Sequence, residues 1–244
     1  MGKMKILYLI TARKGSKSIK DKNIKFIAGL PLIGYKIKLA LSITDDPNDV
    51  WVSTDSEVYS KIAKSYGANI PFIRPDSLAT DEASSVDVVL HAIDHAEKLF
   101  KQYDYLCLLE PTVPFISTGQ LKQALLLLSN NPQADGIVAV KEVMPHITFI
   151  QEENVFLDEI AQKLSVKGKD IRRQNFKKQI TPSGGFYVIK WDVFKSQRTF
   201  YTGKTLSYCA PNLNSIEIDE PLDFVFAEFI AERELIKIDN LFSI

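Results

Sequence analysis

Apolar positions along this chain fall into two alternating patterns, short continuous runs and stripes at helical spacing. Residues 5–11 (KILYLIT) form a run rich in β formers that ends at a basic loop, which predicts a buried first strand. Leu32, Ile33, Tyr35, Ile37, Leu39 and Ala40 predict a helix over 31–42, with Pro31 tolerated in its first turn. DVWVSTD (49–55) reads as a second strand. Asp55 or Ser56 then caps a helix carrying Val58, Ile62, Ala63 and Tyr66 at helical spacing, and Gly67 ends it. Val86, Val89, Leu90, Ile93 and Ala96 lie on one face of a helix over about 84–99, where Ser84 and Asp87 resemble a capping box. DYLCLLE (104–110) is a strand too apolar to be half exposed; a helix over about 117–129 and the strand GIVAVKEV (136–143) follow.

Strands alternating with helices imply a mostly parallel sheet covered on both faces, a three-layer, Rossmann-like α/β fold. Ligands of such sheets bind beyond the carboxyl ends of the strands. The segments at those ends, ARKGSKSIKDKN, STDSE and EPTVP, carry the polar residues that the strands lack. The pattern loosens over about 143–183, where mixed charge (KGKDIRRQNFKK) and β-like pieces such as ITFI replace it. This stretch reads as an excursion within one domain spanning 1–244. GGFYVIKW (184–191) returns to a strand, and SIEIDEPLDFVFAEFIAERELI reads as an alternating strand, a turn at Pro221 and a closing helix. Phe224, Phe226 and Phe229 on that helix suit core or subunit contact.

Composition narrows the class. Thirty Lys+Arg balance thirty Asp+Glu, which argues against a general nucleic-acid binder but leaves room for a local basic pocket. No stretch approaches the roughly 20 apolar residues of a membrane span, and the start lacks a signal-peptide pattern, so a cytoplasmic protein is expected. Cys107 and Cys209 make neither a disulfide framework nor a zinc pattern; both are expected to be reduced and buried. His91 and His95 share a helix face, but residue 92 is Ala, so the metalloprotease H-E-x-x-H pattern is missing.

The first loop holds Arg13, Lys14, Lys17, Lys20, Lys22 and Lys25 around Gly15 and Ser16. Cations and free backbone N–H groups at the mouth of a parallel sheet can hold a polyphosphate. The order is not a Walker A loop or a dinucleotide fingerprint, and a solvated basic loop is the plain alternative. Glu217 and Asp219 are two apart on an alternating segment, so both carboxylates point to one face while Ile216 and Ile218 point to the other.

The residue order carries a resemblance. Ala12-Arg13-Lys14-Gly15-Ser16-Lys17, then Lys22-Asn23, resembles the A-R-x-x-S-K…K-N opening of the acylneuraminate cytidylyltransferases. Val52-Ser53-Thr54-Asp55, Arg74-Pro75, Leu78-Ala79-Thr80-Asp81-Glu82-Ala83-Ser84-Ser85 and Leu108-Leu109-Glu110-Pro111-Thr112-Val113-Pro114 resemble further motifs of that family, in order. Ser183-Gly184-Gly185-Phe186-Tyr187 resembles its N-G-A-x-Y, and Ser215-Ile216-Glu217-Ile218-Asp219 with Asp223 resembles S-I-D-I-D-x-x-x-D.

The resemblance implies a nucleotidyltransferase that joins CTP to an acidic nine-carbon sugar, giving CMP-sugar and pyrophosphate with Mg²⁺. It assigns Arg13, Lys17 and Lys22 to neutralising the triphosphate, the catalytic part. It assigns Ala12, Arg13, Gly15, Ser16, Asn23, Arg74 and Ser84 to the nucleotide, and Glu110, Thr112, Arg173 and Ser183 to the sugar. Glu217 and Asp219 would ligate Mg²⁺. It also implies a homodimer built by the 143–183 region, with Arg172 or Arg173 reaching a neighbour's site. The related reaction on 3-deoxy-manno-octulosonate is the alternative within the class, and a non-catalytic nucleotide-binding relative is the alternative outside it. Four positions depart from the family pattern: Glu110 for Gln, Glu217 for Asp, Ser183 for Asn, and Thr181 where sialic acid enzymes often carry Arg. Nucleotide-side residues are kept while sugar-side residues differ, so the expected sugar is a legionaminic- or pseudaminic-type diamino acid rather than ordinary N-acetylneuraminate.

Overall fold

A computed structural model describes residues 4–143 and 179–243. His146, the basic stretch from Lys167 to Lys178, Arg172 and Arg173 lie outside the described residues. The chain divides into two compact units, residues 1–141 with 182–244, and residues 142–181.

The strands of the main sheet are β1 (Ile6–Thr11), β4 (Val50–Ser53), β5 (Tyr105–Leu109), β6 (Gly136–Val143), β7 (Gln179–Lys190) and β8 (Thr205–Cys209). They lie in the order β4-β1-β5-β7-β6-β8. β1 is parallel to β4 and to β5, with Thr11 opposite Ser53 and Ile10 opposite Leu109; β7 runs antiparallel to β5. β6 and β8 are parallel, and a short antiparallel pair, β2 (Phe26–Ile27) and β3 (Leu30–Pro31), stands apart.

Alternation decides the layers. Tyr8, Ile10, Val52, Cys107 and Leu109 face α1 (Leu32–Leu41), α2 (Glu57–Ser65) and α4 (Thr118–Ser129) in one core. Leu7, Leu9, Trp51, Leu106 and Leu108 face α3 (Ser85–Lys98) and α5 (Trp191–Gln197) in the other. The mostly parallel, helix-covered sheet expected from the sequence is therefore present. β6 comes close enough to β7 that a Cβ at Gly136 would stand 2.3 Å from the Val188 carbonyl oxygen. A third cluster, under the loops, joins Tyr35, Phe115 and Ile218 to α6 (Pro221–Glu232).

Several expectations need correction. On α2, Ala63 is buried and Ile62 and Tyr66 pack on the core as expected, but Val58 is 57% exposed and Tyr59 and Ser60 are buried in its stead. No strand forms over 215–219. The Ile218 N–H donates to the Thr112 carbonyl (2.8 Å) and the segment joins no ladder, yet Ile218 is still buried. The edge strand is instead Thr205–Cys209, whose Leu206 and Tyr208 pack on the core. Cys209 therefore points away from it and is exposed; Cys107 is buried, and both are free thiols. Pro221 starts α6 rather than making a turn before it, because Pro lacks the N–H that a first helical residue leaves unused. On α6, Phe224 packs on the third cluster, while Phe226 and Phe229 are exposed.

Candidate active site

A cleft of about 440 Å³ opens beyond the carboxyl ends of β1 and β5. Four separate stretches line it: the loop after β1, residues 74–88, residues 110–112, and residues 217–219.

The first loop is tied down by its own side chains. Asn23 Nδ2 donates to the Arg13 carbonyl (3.0 Å), and Asp55 Oδ1 accepts the Lys14 N–H (2.9 Å). Lys22 is 8% exposed; its Nζ donates to the Ile218 carbonyl (2.8 Å) and to Asp219 Oδ1 (3.0 Å). Ser18 Oγ donates to the Asp219 carbonyl. The loop and the 218–219 segment are thus stitched together across almost the whole sequence.

Arg13 and Lys17 converge on one carboxylate. Asp81 lies 2.6 Å from Arg13 Nη2 and 2.5 Å from Lys17 Nζ, and the two cations hold its pKa below the ordinary carboxylate value. Lys17 is largely exposed and does not line the cleft. Arg74 is different. It is 4% exposed, its backbone N–H donates to the Thr54 carbonyl (2.8 Å), and Asp55 Oδ1 stands 3.9 Å from Nη2. Its Nε and Nη2 have no hydrogen-bond partner among the described residues. A buried guanidinium with unsatisfied donors in a cleft wall is suited to an oxyanion.

The opposite character comes from Glu110, Glu217 and Asp219. Burial, then the Glu217 charge, pushes the Glu110 carboxyl up to about 7, while Lys36 opposes the rise. Burial, then the Asp219 charge, also raises Glu217. Carboxylates gathered in one cleft wall, two of them held above their ordinary pKa, suit a divalent cation. Among the described residues no three His, Cys, Asp or Glu side chains converge as a complete metal site. A pair of carboxylates fits Mg²⁺, which keeps several waters and takes its remaining ligands from phosphates.

The other predicted residues are placed as follows. Ser16 and Thr112 line the cleft, and the Thr112 carbonyl also fixes Ile218. Ala12 is buried, with its N–H on the Ser53 carbonyl (3.0 Å). Gly15 is exposed beside the cleft and has open space around it. Ser84 is the cap of α3: its hydroxyl accepts from the Asp87 N–H (3.1 Å) and donates to the Asp87 carboxylate (2.7 Å), while its neighbours Ala83 and Ser85 line the cleft. The Asp87 carboxylate therefore meets the serine hydroxyl, not the backbone N–H of a true capping box. Ser183 is fully buried in β7, with its hydroxyl towards the Gly185 N–H (3.4 Å). Arg173 lies outside the described residues.

A family model described as cytidylyltransferase matches residues 7–200. The chain belongs to the cytidylyltransferase family. It is 29% identical over 226 residues to an N-acylneuraminate cytidylyltransferase of Streptococcus agalactiae serotype V, covering 91% of this chain and 52% of that relative. The chain thus spans about half the length of that protein. It is 31% identical over 229 residues to a pseudaminic acid cytidylyltransferase of Campylobacter jejuni, covering 93% of this chain and 96% of the relative. A solved CMP:2-keto-3-deoxy-manno-octonic acid synthetase complexed with CTP shares the fold, with a TM-score of 0.64, 16% identity, and coverage of 94% of this chain and 99% of that one.

Two charged residues of this chain were not legible as such in the sequence: Asp81, in the cleft lining, and Lys36. Asp81 sits inside a matched motif, and its charge opposite a basic loop was the available signal. Lys36 sits unannounced on the apolar face of α1. Its single charge in an otherwise apolar stripe was the only sign, and only the fold shows it fully buried. His91 and His95 pack against the Phe72 ring, their rings 5.1 Å apart.

Proposed function

We propose that this cytidylyltransferase transfers the CMP group of CTP to the anomeric hydroxyl of a nonulosonic acid, releasing pyrophosphate. The observation that carries the reading is the juxtaposition, in one cleft, of buried Arg74 with its unsatisfied donors, Arg13 and Lys22, and the Glu217–Asp219 carboxylates. Arg13, Lys22 and Arg74 bind the triphosphate and neutralise charge that grows on the departing pyrophosphate, where fixed donors count most. Lys17, at the loop edge, joins them when the triphosphate displaces Asp81. The loop backbone at Ser16 and the 83–85 backbone hold the nucleotide. The sugar oxygen forms its bond to the α-phosphorus as the bond to the β-phosphate oxygen breaks, and the hydroxyl proton passes to solvent. Holding attacker and leaving group in line is the second contribution of the cleft.

Glu217 and Asp219 are the residues that would hold Mg²⁺, which when bound polarises phosphoryl oxygens and offsets their charge. Glu110 and Thr112 form the acceptor end, facing the sugar. A carboxylate there repels an acid sugar's carboxylate but accepts from N–H and O–H groups, which favours a diamino sugar over N-acetylneuraminate. The likeness to a protein named for pseudaminic acid supports this choice. A cytoplasmic homodimer completes the reading; sedimentation tests the assembly.

The test is pyrophosphate release with CTP and Mg²⁺ across N-acetylneuraminate, legionaminate, pseudaminate and 3-deoxy-manno-octulosonate. A diamino sugar is expected to give the highest kcat/KM. Equal kcat/KM for N-acetylneuraminate would overturn the sugar assignment. Silence across the panel, with CTP bound, would overturn the reaction.

A further inference from the structure

A lysine side chain with no access to water is rare in proteins, and burial favours its neutral form unless the charge is compensated. Lys36 is 0% exposed on the inner face of α1, between Tyr35 and Ile37, which are equally buried. Among the described residues its Nζ donates to one acceptor, the Gly185 carbonyl, at 3.0 Å. The preceding residue, Gly184, has φ +73°, a conformation that favours glycine. A Cβ there would lie 2.8 Å from Glu110 Oε2 and 3.5 Å from Glu217 Oε1. The Glu110 carboxylate therefore rests against Gly184 while the Lys36 ammonium grips the next carbonyl. A buried ammonium and a half-buried carboxylate thus touch two consecutive residues of β7.

We propose that Lys36 is a positioning residue for the acceptor end of the cleft: its ammonium holds the Gly184–Gly185 backbone of β7 from within and supplies the internal counter-charge against which Glu110 stands in the cleft wall. The inference rests on the function proposed above for its assignment to a sugar, and for the pairing on the adjacency of Gly184 and Gly185, the residues that Glu110 and Lys36 touch. It accounts for a departure noted in the sequence. Where the resembling family has a neutral Gln, this chain carries Glu110, and an ammonium beneath it compensates the added charge. Burial lowers Lys36 to about 7, and Glu110 is among the charges that oppose the fall; Lys36 in turn opposes the rise of Glu110, so each favours the other's ionised form. The wall built in this way presents acceptor oxygens fixed in place. It suits a sugar bearing N–H or hydroxyl donors at that point.

Four variants test it: Lys36→Met, Lys36→Gln, Glu110→Gln and the double variant Lys36→Met/Glu110→Gln, each followed by Tm and by separate KM values for sugar and CTP. Lys36→Met and Lys36→Gln are both expected to lower Tm by roughly 6–20 °C, since removing one member of a buried pair strands the other. Adding Glu110→Gln to Lys36→Met is expected to recover at least about half of that loss. Lys36→Met should raise the KM for sugar about 10-fold at unchanged KM for CTP, with recovery in the double variant. Additive Tm losses would overturn the pairing. So would a wild-type Tm in Lys36→Gln, which keeps a hydrogen-bond donor and lacks the charge. An equal rise in both KM values would overturn the acceptor-end role. Should Lys36→Met fail to fold, folding of the double variant is the same rescue. If no sugar turns over, the sugar assignment falls with the proposed function, and the Tm comparison still decides the pair.

Discussion

Arg74 and Arg13 are both arginines in the same cleft, and their surroundings give them different work. Arg13 is partly exposed and already paired with Asp81, so a ligand must exchange for an existing ion pair. Arg74 is buried, its only ion pair in the described residues is the long one to Asp55 (3.9 Å), and its Nε and Nη2 lack hydrogen-bond partners there, so an anion that reaches it gains charge-assisted bonds. Arg74→Ala is therefore expected to weaken CTP binding roughly 10- to 100-fold by titration calorimetry. An unchanged affinity would remove Arg74 from the nucleotide side. In the sequence, Arg74-Pro75 was legible only as part of a motif. Its burial, which makes the guanidinium matter, depends on a Thr54 carbonyl twenty residues earlier in the chain.

At the scale of elements, the caps show which local signals survive folding. Ser56 caps α2 as expected, with its side chain accepting from the Tyr59 N–H. Ser117 does more: its hydroxyl accepts from the Gln120 N–H (3.2 Å) and the Gln120 side chain accepts from the Ser117 N–H (2.9 Å), a complete capping box on α4. Ser117→Ala is expected to cost about 1 kcal/mol and to lower Tm by about 2–4 °C, with KM values unchanged because α4 lies away from the cleft. A larger change in KM would mean that α4 reports to the site. Strand positions were legible from apolar runs because β1, β4 and β5 are buried on both faces. β8 escaped detection because none of its residues is fully buried, and its TLSYC pattern is too short and too mixed to stand out.

At the scale of the whole molecule, the cleft exists because the end of the chain returns to its beginning. Lys22 reaches Asp219 across 197 residues, and Ser18 reaches the Asp219 carbonyl across 201. Asp219 is 62% exposed at its side chain, so little packing depends on it. Asp219→Ala is expected to keep Tm within a few degrees of wild type while losing most pyrophosphate release at saturating Mg²⁺. Turnover near wild type would remove Asp219 from the metal role. Its partner in sequence, Glu217, lies in the same cleft although no strand forms there. Side chains of any extended backbone alternate, so the separation of Glu217 and Asp219 from Ile216 and Ile218 needed no ladder.

The amino-acid order by itself determined the alternation of buried strands and amphipathic helices, and with it the layers of the sheet, because period and apolarity are local properties. It also determined that the basic loop would stand at the strands' carboxyl ends, and that Glu217 and Asp219 would share a face. Which cations are free and which are paired was decided only by the tertiary structure, since Asp81 meets Arg13 and Lys17 across more than sixty residues of intervening chain. The burial of Lys36 against the Gly184–Gly185 backbone of β7 was decided there too. A charge placed inside a fold takes its meaning from what surrounds it in space, and no periodicity along the chain encodes that.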